Sequence, residues 1–377
     1  MNIIPDFALS FWSLLFYFFS AMIFLQLLYV LIIYARFAFF KSKSFANKDH
    51  LPALSVIIAA RNEADNIYEN LPYILSQDYP NFEVIVVVNQ SVDESRHILD
   101  AYQQQYPNLR YTVIERNKHL RPGKKLPLSL GIKAAKNEHL VFTDADCRPA
   151  SDQWLKEIGS SYTDTKKIIL GYAPYTYQKG FLNKVIRYDT AWIAINYMSF
   201  GLARLPYMGV GRNLAYTKSA YEKANGFKSH YAISSGDDDL FIQEAAKKNN
   251  YTIVISPESH MYSPAETTWA SWYRQKSRHY TTSPRYQVIK KALLGIYPLS
   301  LLFMYFSFIT LLFNEDYRWL TLIIFGVILV LKWWIQGKCF LKLKEKTFVA
   351  FFPISDILYA IGLPMVFYTS EVRTNKW

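Results

Sequence analysis

Cysteine is scarce in this 377-residue chain, with only Cys147 and Cys339 present. Two thiols build neither a disulfide framework nor a four-ligand zinc site, and their scarcity suits a reducing compartment. Nucleic-acid signatures are missing as well. The basic residues are scattered, with no helix-turn-helix, zinc-finger or RNA-recognition pattern, so nucleic acid is not an expected partner. Internal repeats and low-complexity segments are also lacking. Acidic residues number 30 against 42 Lys and Arg, for a net charge of +12. Part of that excess follows from the Lys and Arg bias of cytosolic membrane loops. The rest suits a domain held against anionic lipid and handling phosphate-bearing substrates.

Charge is absent from one long stretch altogether, Ala8 to Tyr34. A bilayer core needs about 20 apolar residues in a helix, and this run exceeds that. It has no basic segment before it and is too long for a signal-peptide core, so an uncleaved anchor over 1–40 is expected. Further apolar runs at about 293–313, 319–337 and 348–368 make 290–377 a membrane region of about three spans. Arg36, Lys41, Lys43 and Lys48 follow the first run, and Lys338, Lys342, Lys344 and Lys346 follow the third. Glu315 and Asp316 sit in the connection between the second and third. This distribution predicts a multi-pass protein of the cell (inner) membrane with its middle domain in the cytosol. In the last run Pro353, Asp356 and Pro364 leave a kinked span and a re-entrant hairpin both open.

Residues 51–286 read as an ordinary globular sequence. "LSVIIAA" (54–60), "FEVIVVV" (82–88), "RYTVIE" (110–115) and "HLVFTD" (139–144) are patterned as buried strands. Helix-spaced apolar residues fill 63–77, 93–105 and 127–136. Such alternation predicts an α/β domain with a largely parallel sheet covered on both faces. Ligands of these sheets lie beyond the carboxyl ends of the strands. Three polar motifs fall there: "ARNE", "NQS" and "DAD".

Asp144 and Asp146 flank the end of the fourth strand. Alternate residues share one side of a strand, so both carboxylates can face one point. Hard oxygen ligands of this kind suit Mg²⁺ or Mn²⁺ shared with substrate phosphates. An isolated acidic pair is more often a solvated loop, so the pair needs its surroundings to carry weight. Downstream, Asp237, Asp238 and Asp239 repel one another, which favours a raised pKa for at least one. A helix start that prefers negative charge is the plainer reading of the same triplet.

Five segments in order resemble glycosyltransferase family 2, the membrane-anchored inverting sugar transferases with a GT-A, Rossmann-like nucleotide-sugar-binding domain. They are "SVIIAARNEADNI", "EVIVVVNQSVDES", "GKKLPLSLGIKAAKNEHLVFTDADCRP", "SGDDDLF" and "QKSRH", within about Leu54 to Tyr286. The resemblance implies that Asp144 and Asp146 bind the metal bridging the donor's diphosphate, with Glu63 and Asn89 lining the nucleotide's base and ribose. Lys124 would reach a phosphate, with Lys125 as the neighbouring alternative. Asp237 would take the acceptor hydroxyl's proton, with Asp238 as runner-up and Asp239 structural. Gln275 and Arg278 would hold the leaving diphosphate or the acceptor, and the segment "MGVGRNLAYTKSAY", with glycines beside Arg212 and Asn213, would line the sugar and acceptor pocket, a simple turn being the alternative.

Two departures matter. Asn89 stands where the family usually has Asp, which leaves the preferred base open. His279 stands where Trp is usual, which removes a sugar-stacking platform and counts against processive polymer synthesis. Trp269, Trp272 and Tyr273 fit either the lipid headgroup zone or ordinary packing. The expected donor is a nucleotide-sugar, first of all a UDP-sugar, and the expected acceptor a lipid or membrane-associated glycan. A processive polysaccharide synthase, a polyprenyl-phosphate sugar transferase and an inactive scaffold are the alternatives.

Overall fold

A computed structural model of the chain describes residues 10–41, 51–120, 123–233, 235–247 and 249–369. The chain divides into two compact units. One runs from Lys41 to Tyr286, and the other joins the described helices before Phe40 to those from Gln287 onward.

The helical unit begins with α1 (Phe11–Leu28), whose first turn is closed by a capping box between Ser10 and Ser13. A π-helical stretch, Tyr29–Tyr34, leads into the short α2 (Ala35–Ala38). Lys43 and Lys48, which carry part of the expected cytosolic charge, lie outside the described residues.

The middle unit is built on a seven-stranded sheet. In chain order it contains β1 (Leu54–Ala60), α3 (Ala64–Leu75), β2 (Phe82–Asn89), α4 (Ser95–Gln105), β3 (Leu109–Ile114), α5 (Lys125–Ala134) and β4 (His139–Asp144). There follow β5 (Arg148–Pro149), α6 (Trp154–Gly159), β6 (Ile168–Leu170), α7 (Phe181–Leu202), β7 (Leu214–Thr217), α8 (Lys218–Lys223), α9 (Asp239–Ala245), β8 (Tyr251–Ile253), β9 (Met261–Tyr262) and α10 (Trp269–Tyr280). The strand order is β3-β2-β1-β4-β7-β6-β8, and β5 pairs with β9 apart from it. Every residue of β1 is buried, as a central parallel strand with helices on both faces requires. Close helix packing has a sequence cause at Gly131 of α5. A Cβ there would lie 2.5 Å from the Ile57 side chain of β1, so only glycine lets the helix sit this near.

The parallel expectation holds for β1 to β4 but not for the whole sheet. β7 runs antiparallel to both β4 and β6, making the sheet mixed. Strands β6, β7 and β8 have three or four residues each, too short for an apolar pattern to stand out from its neighbours.

The helical unit resumes with α11 (Val288–Leu311), α12 (Glu315–Lys342) and α13 (Thr347–Thr369). Among the described residues, three helices, Phe11–Ala38, Val288–Leu311 and Glu315–Lys342, are long and apolar enough to cross a membrane. The last apolar run forms one continuous helix, not a re-entrant hairpin. Its carboxylate is accounted for by pairing. Lys332 of α12 lies 2.8 Å from Asp356 and donates to Gln26 of α1 at 2.7 Å. Gln26 in turn donates to the Tyr297 carbonyl and the Ser300 hydroxyl of α11, and the Tyr297 hydroxyl donates to Asp356. Charged groups in apolar helices survive only when so compensated, and here one network joins α1, α11, α12 and α13.

Candidate active site

The carboxyl ends of β1, β2 and β4 meet at one rim. The turn after β1 is tied to the loop after β2 by the Ala64 amide donating to Asp93 and the Asn62 side chain accepting from the Val92 amide. Glu63 sits in this turn, receives a 2.6 Å bond from the Asn66 amide, and lies near Asp146 and Asp144. Burial, with those two carboxylates, raises its carboxyl above the usual range despite the Asn66 bond. Asn89 ends β2 almost fully buried, with its amide directed at the Gly123 carbonyl at 3.4 Å.

Asp144 closes β4, and Lys124, the residue preceding α5, donates to it at 2.6 Å. Enclosure in the cleft disfavours the ammonium, but Asp144 and Asp237 outweigh it and hold Lys124 above its ordinary value. Asp146 is held above the carboxylate range by burial and then by Asp144, with Arg212 and Lys124 opposing. Among the described residues, no group of three or more His, Cys, Asp and Glu is placed to hold a metal unaided. Two neighbouring carboxylates at a rim with cationic groups fit a hard cation that completes its shell with water and substrate phosphate. A closed protein cage would need more ligands.

One pocket brings both halves of the unit together. Lys124, Leu128, Phe142, Thr143, Asp144, Gly211, Leu214, Tyr216 and Asp237 line it. The three aspartates around the start of α9 divide their roles. Asp237 faces the pocket. Asp238 accepts from the Gly211 amide at 3.0 Å and from the Asp239 amide at 2.7 Å. Burial first, then Asp237 and Asp239, push the Asp238 carboxyl up to about 8. Asp239 turns away, accepting from the Thr282 and Tyr286 hydroxyls just beyond α10.

Arg212 donates to the Ala173 carbonyl and the Ser263 hydroxyl, and its guanidinium lies 4.2 Å over the Tyr175 ring. Asn213 belongs to the scaffold instead. It is fully buried, accepts from the Trp154 indole and donates to the Tyr172 and Ser259 carbonyls. Gln275 and Arg278 lie one helical turn apart on α10, and Arg278 is near enough to Lys124 to oppose its charge. His279 is held well below its ordinary value by enclosure, then by Arg278, Lys276, Arg212 and Lys124, so its imidazole is neutral. Trp269 is half exposed, while Trp272 packs against Tyr175, Ile186 and Ala265.

Sequence reasoning missed one anchor of this helix. Lys276 and Asp189 of α7 form a buried pair with contacts of 2.9 and 2.7 Å. The available signal was a lone carboxylate within the mostly apolar sequence of α7.

A parallel α/β half-sheet with a carboxylate pair at the end of its central strand and an acidic helix start across one pocket defines a GT-A-type domain, here accompanied by apolar helices. Residues 55–223 match the model of Glycosyl transferase family 2. That match covers rather less than half of the chain. Glycosyltransferase AglE of Haloferax volcanii is 32% identical over 196 residues, covering 50% of this chain and 59% of that protein. Probable glycosyltransferase YdaM of Bacillus subtilis is 26% identical over 253 residues, covering 65% and 58%. The chain thus spans rather less than two thirds of these relatives' length. Among solved structures, the mannosyltransferase PcManGT of Pyrobaculum calidifontis, in complex with GDP-Man and Mn²⁺, superposes with a TM-score of 0.56 at 18% identity. That likeness covers 93% of this chain and 98% of the other, and it speaks to the fold.

Proposed function

We propose that this protein transfers a sugar from a nucleotide-sugar to a lipid or membrane-associated glycan, with inversion at the anomeric carbon and with the help of a divalent cation. The observation that carries the reading is the shared pocket: Asp144, Lys124 and Asp237 all line it. Asp144 and Asp146 would hold Mg²⁺ or Mn²⁺, which neutralises charge on the donor's diphosphate when bound. The fold neighbour named above was solved with a GDP-sugar and Mn²⁺, so GDP-mannose belongs beside UDP-sugars among the donors to try.

Asp237 accepts the proton of the acceptor hydroxyl as its oxygen bonds to the anomeric carbon. The bond from that carbon to the diphosphate oxygen breaks, and the nucleoside diphosphate departs with the electron pair. Lys124 stabilises the charge gathering on that leaving group, with Arg278 and Gln275 closing on it or on the acceptor from α10. Asp237 is favoured over Asp238 on geometry, because both Asp238 oxygens already accept backbone amides. Glu63 and Asn89 would line the nucleoside.

The apolar helices support a membrane acceptor and a cell-membrane location, with the middle unit on the cytosolic side where nucleotide-sugars are made. The test is full-length protein in lipid nanodiscs, offered UDP-sugars and GDP-mannose with membrane lipid extract, and with Mg²⁺ or Mn²⁺. Release of nucleoside diphosphate coupled to a labelled lipid or glycan product supports the reading. No turnover of any donor under all conditions overturns it.

A further inference from the structure

Two adjacent lysines point in different directions. Lys124 reaches Asp144, whereas Lys125 is 3% exposed and donates to the backbone carbonyls of Ile233 at 2.6 Å and Ser235 at 2.5 Å. Those carbonyls belong to the strand of chain that enters Gly236 and Asp237. Gly236 has φ +99°, and a Cβ on it would meet the Leu240 side chain at 2.7 Å. The turn that presents Asp237 is therefore a conformation only glycine adopts easily.

A buried ammonium is an expensive way to hold a backbone, since removing it from water costs several kcal/mol before compensation. Packing alone would be served by an apolar side chain. Here the compensation comes from two carbonyl dipoles and from the field of Asp237, Asp238 and Asp239, the neighbouring negative charges. The cation and the acidic turn are matched to each other.

We infer that Lys125 is a positioning residue for the proton-accepting step, holding the Ile233 and Ser235 carbonyls so that the turn at Gly236 directs Asp237 to the pocket. It touches no reacting atom and acts through that turn. Lys124 and Lys125 then serve Asp144 and the approach to Asp237 from consecutive positions. This inference rests on the transferase reading above and on Asp237 as the base.

The test compares full-length wild type, Lys125→Met, Lys125→Gln, Lys125→Arg and Asp237→Asn in nanodiscs, with the donor that wild type turns over. Lys125→Met is expected to lower kcat for transfer by ~10-fold or more, the lower part of the range for general-base catalysis. Its KM for the donor and its affinity for the nucleoside diphosphate should stay within about 2-fold, because the Lys124–Asp144 side is untouched. Lys125→Gln, which retains one donor, should fall between, and Lys125→Arg should recover most of the rate. A residue that merely supports packing would lower donor affinity along with kcat, and arginine would not rescue it. That pattern, or wild-type kinetics in both Lys125→Met and Lys125→Gln, overturns the assignment, as does failure of all three variants to fold. If wild type transfers nothing, the transferase reading fails instead. If Asp237→Asn transfers normally, the choice of base fails.

Discussion

The Lys124 ammonium lies 2.6 Å from Asp144, so the cation proposed to reach the donor's phosphates and a carboxylate proposed to hold the metal satisfy each other within one pocket. The pair sets up a competition. A divalent cation arriving at Asp144 must displace or share the ammonium, and the displaced ammonium is then available to a phosphate. Lys124→Met should therefore bind Mn²⁺ several-fold more tightly in the absence of donor, read by the loss of free Mn²⁺ signal in magnetic resonance. The same variant should transfer sugar about 100-fold more slowly, the scale of a lost charge-stabilising donor. Unchanged Mn²⁺ affinity would mean the two groups do not compete.

The aspartate triplet separates by readout. Asp237→Asn should cut transfer by about 100-fold or more while donor-nucleotide affinity survives. Asp238→Asn should cost less, since Asp238 only accepts backbone amides and the single oxygen of Asn keeps one of the two bonds, from Gly211 or from Asp239. Asp239→Asn should mainly lower the melting midpoint, because the Thr282 and Tyr286 hydroxyls lose a charged acceptor. Normal transfer by Asp237→Asn with a dead Asp238→Asn would move the base by one residue.

The buried Lys276–Asp189 pair predicts a stability cycle. Both side chains are nearly inaccessible, so Lys276→Met or Asp189→Leu alone leaves an uncompensated charge and should cost roughly 3–5 kcal/mol. The double variant should recover most of that loss. Denaturant or thermal unfolding of all four forms measures the coupling, and additive losses would contradict it.

Much of the frame was legible in the residues because its elements are long and strongly patterned. The buried runs of β1, β2 and β4, with polar motifs at their carboxyl ends, predicted both the parallel half-sheet and the rim that carries Glu63, Asn89 and Asp144. The short strands β6 to β8 carry too few residues for a pattern, so the antiparallel insertion of β7 was not predictable. The resemblance to glycosyltransferase family 2 brought Asp144 and Asp237 into consideration together, but only folding puts them on one pocket. The resemblance puts the segment holding Asn213 at the pocket, yet the Asn213 side chain bonds to Trp154, Tyr172 and Ser259 in the core. Side-chain direction of this kind is invisible along a chain. So is pairing across distance: Asp356 in an apolar run made sense only once Lys332 stood beside it.

Topology can be read with impermeant maleimides. Both native cysteines are buried, so cysteines introduced at exposed Lys346 and Glu315 will label over a low background. In intact cells Glu315→Cys should react from outside, and Lys346→Cys only after the membrane is opened. The reverse pattern would put the nucleotide site on the wrong side for cytosolic donors.

Sugar transfer dependent on a cation held by Asp144 and Asp146 is tested most directly by one titration. Purified full-length protein is stripped with EDTA, assayed for transfer with its donor, and then given back Mg²⁺ or Mn²⁺, beside Asp144→Asn and Asp146→Asn. Stripped wild type should be inactive and regain full turnover on metal addition. The two variants should stay inactive at every metal concentration while unfolding at temperatures close to wild type, because they lose ligands and not packing. Full turnover after stripping, or active Asp144→Asn and Asp146→Asn variants, would contradict the metal-assisted mechanism.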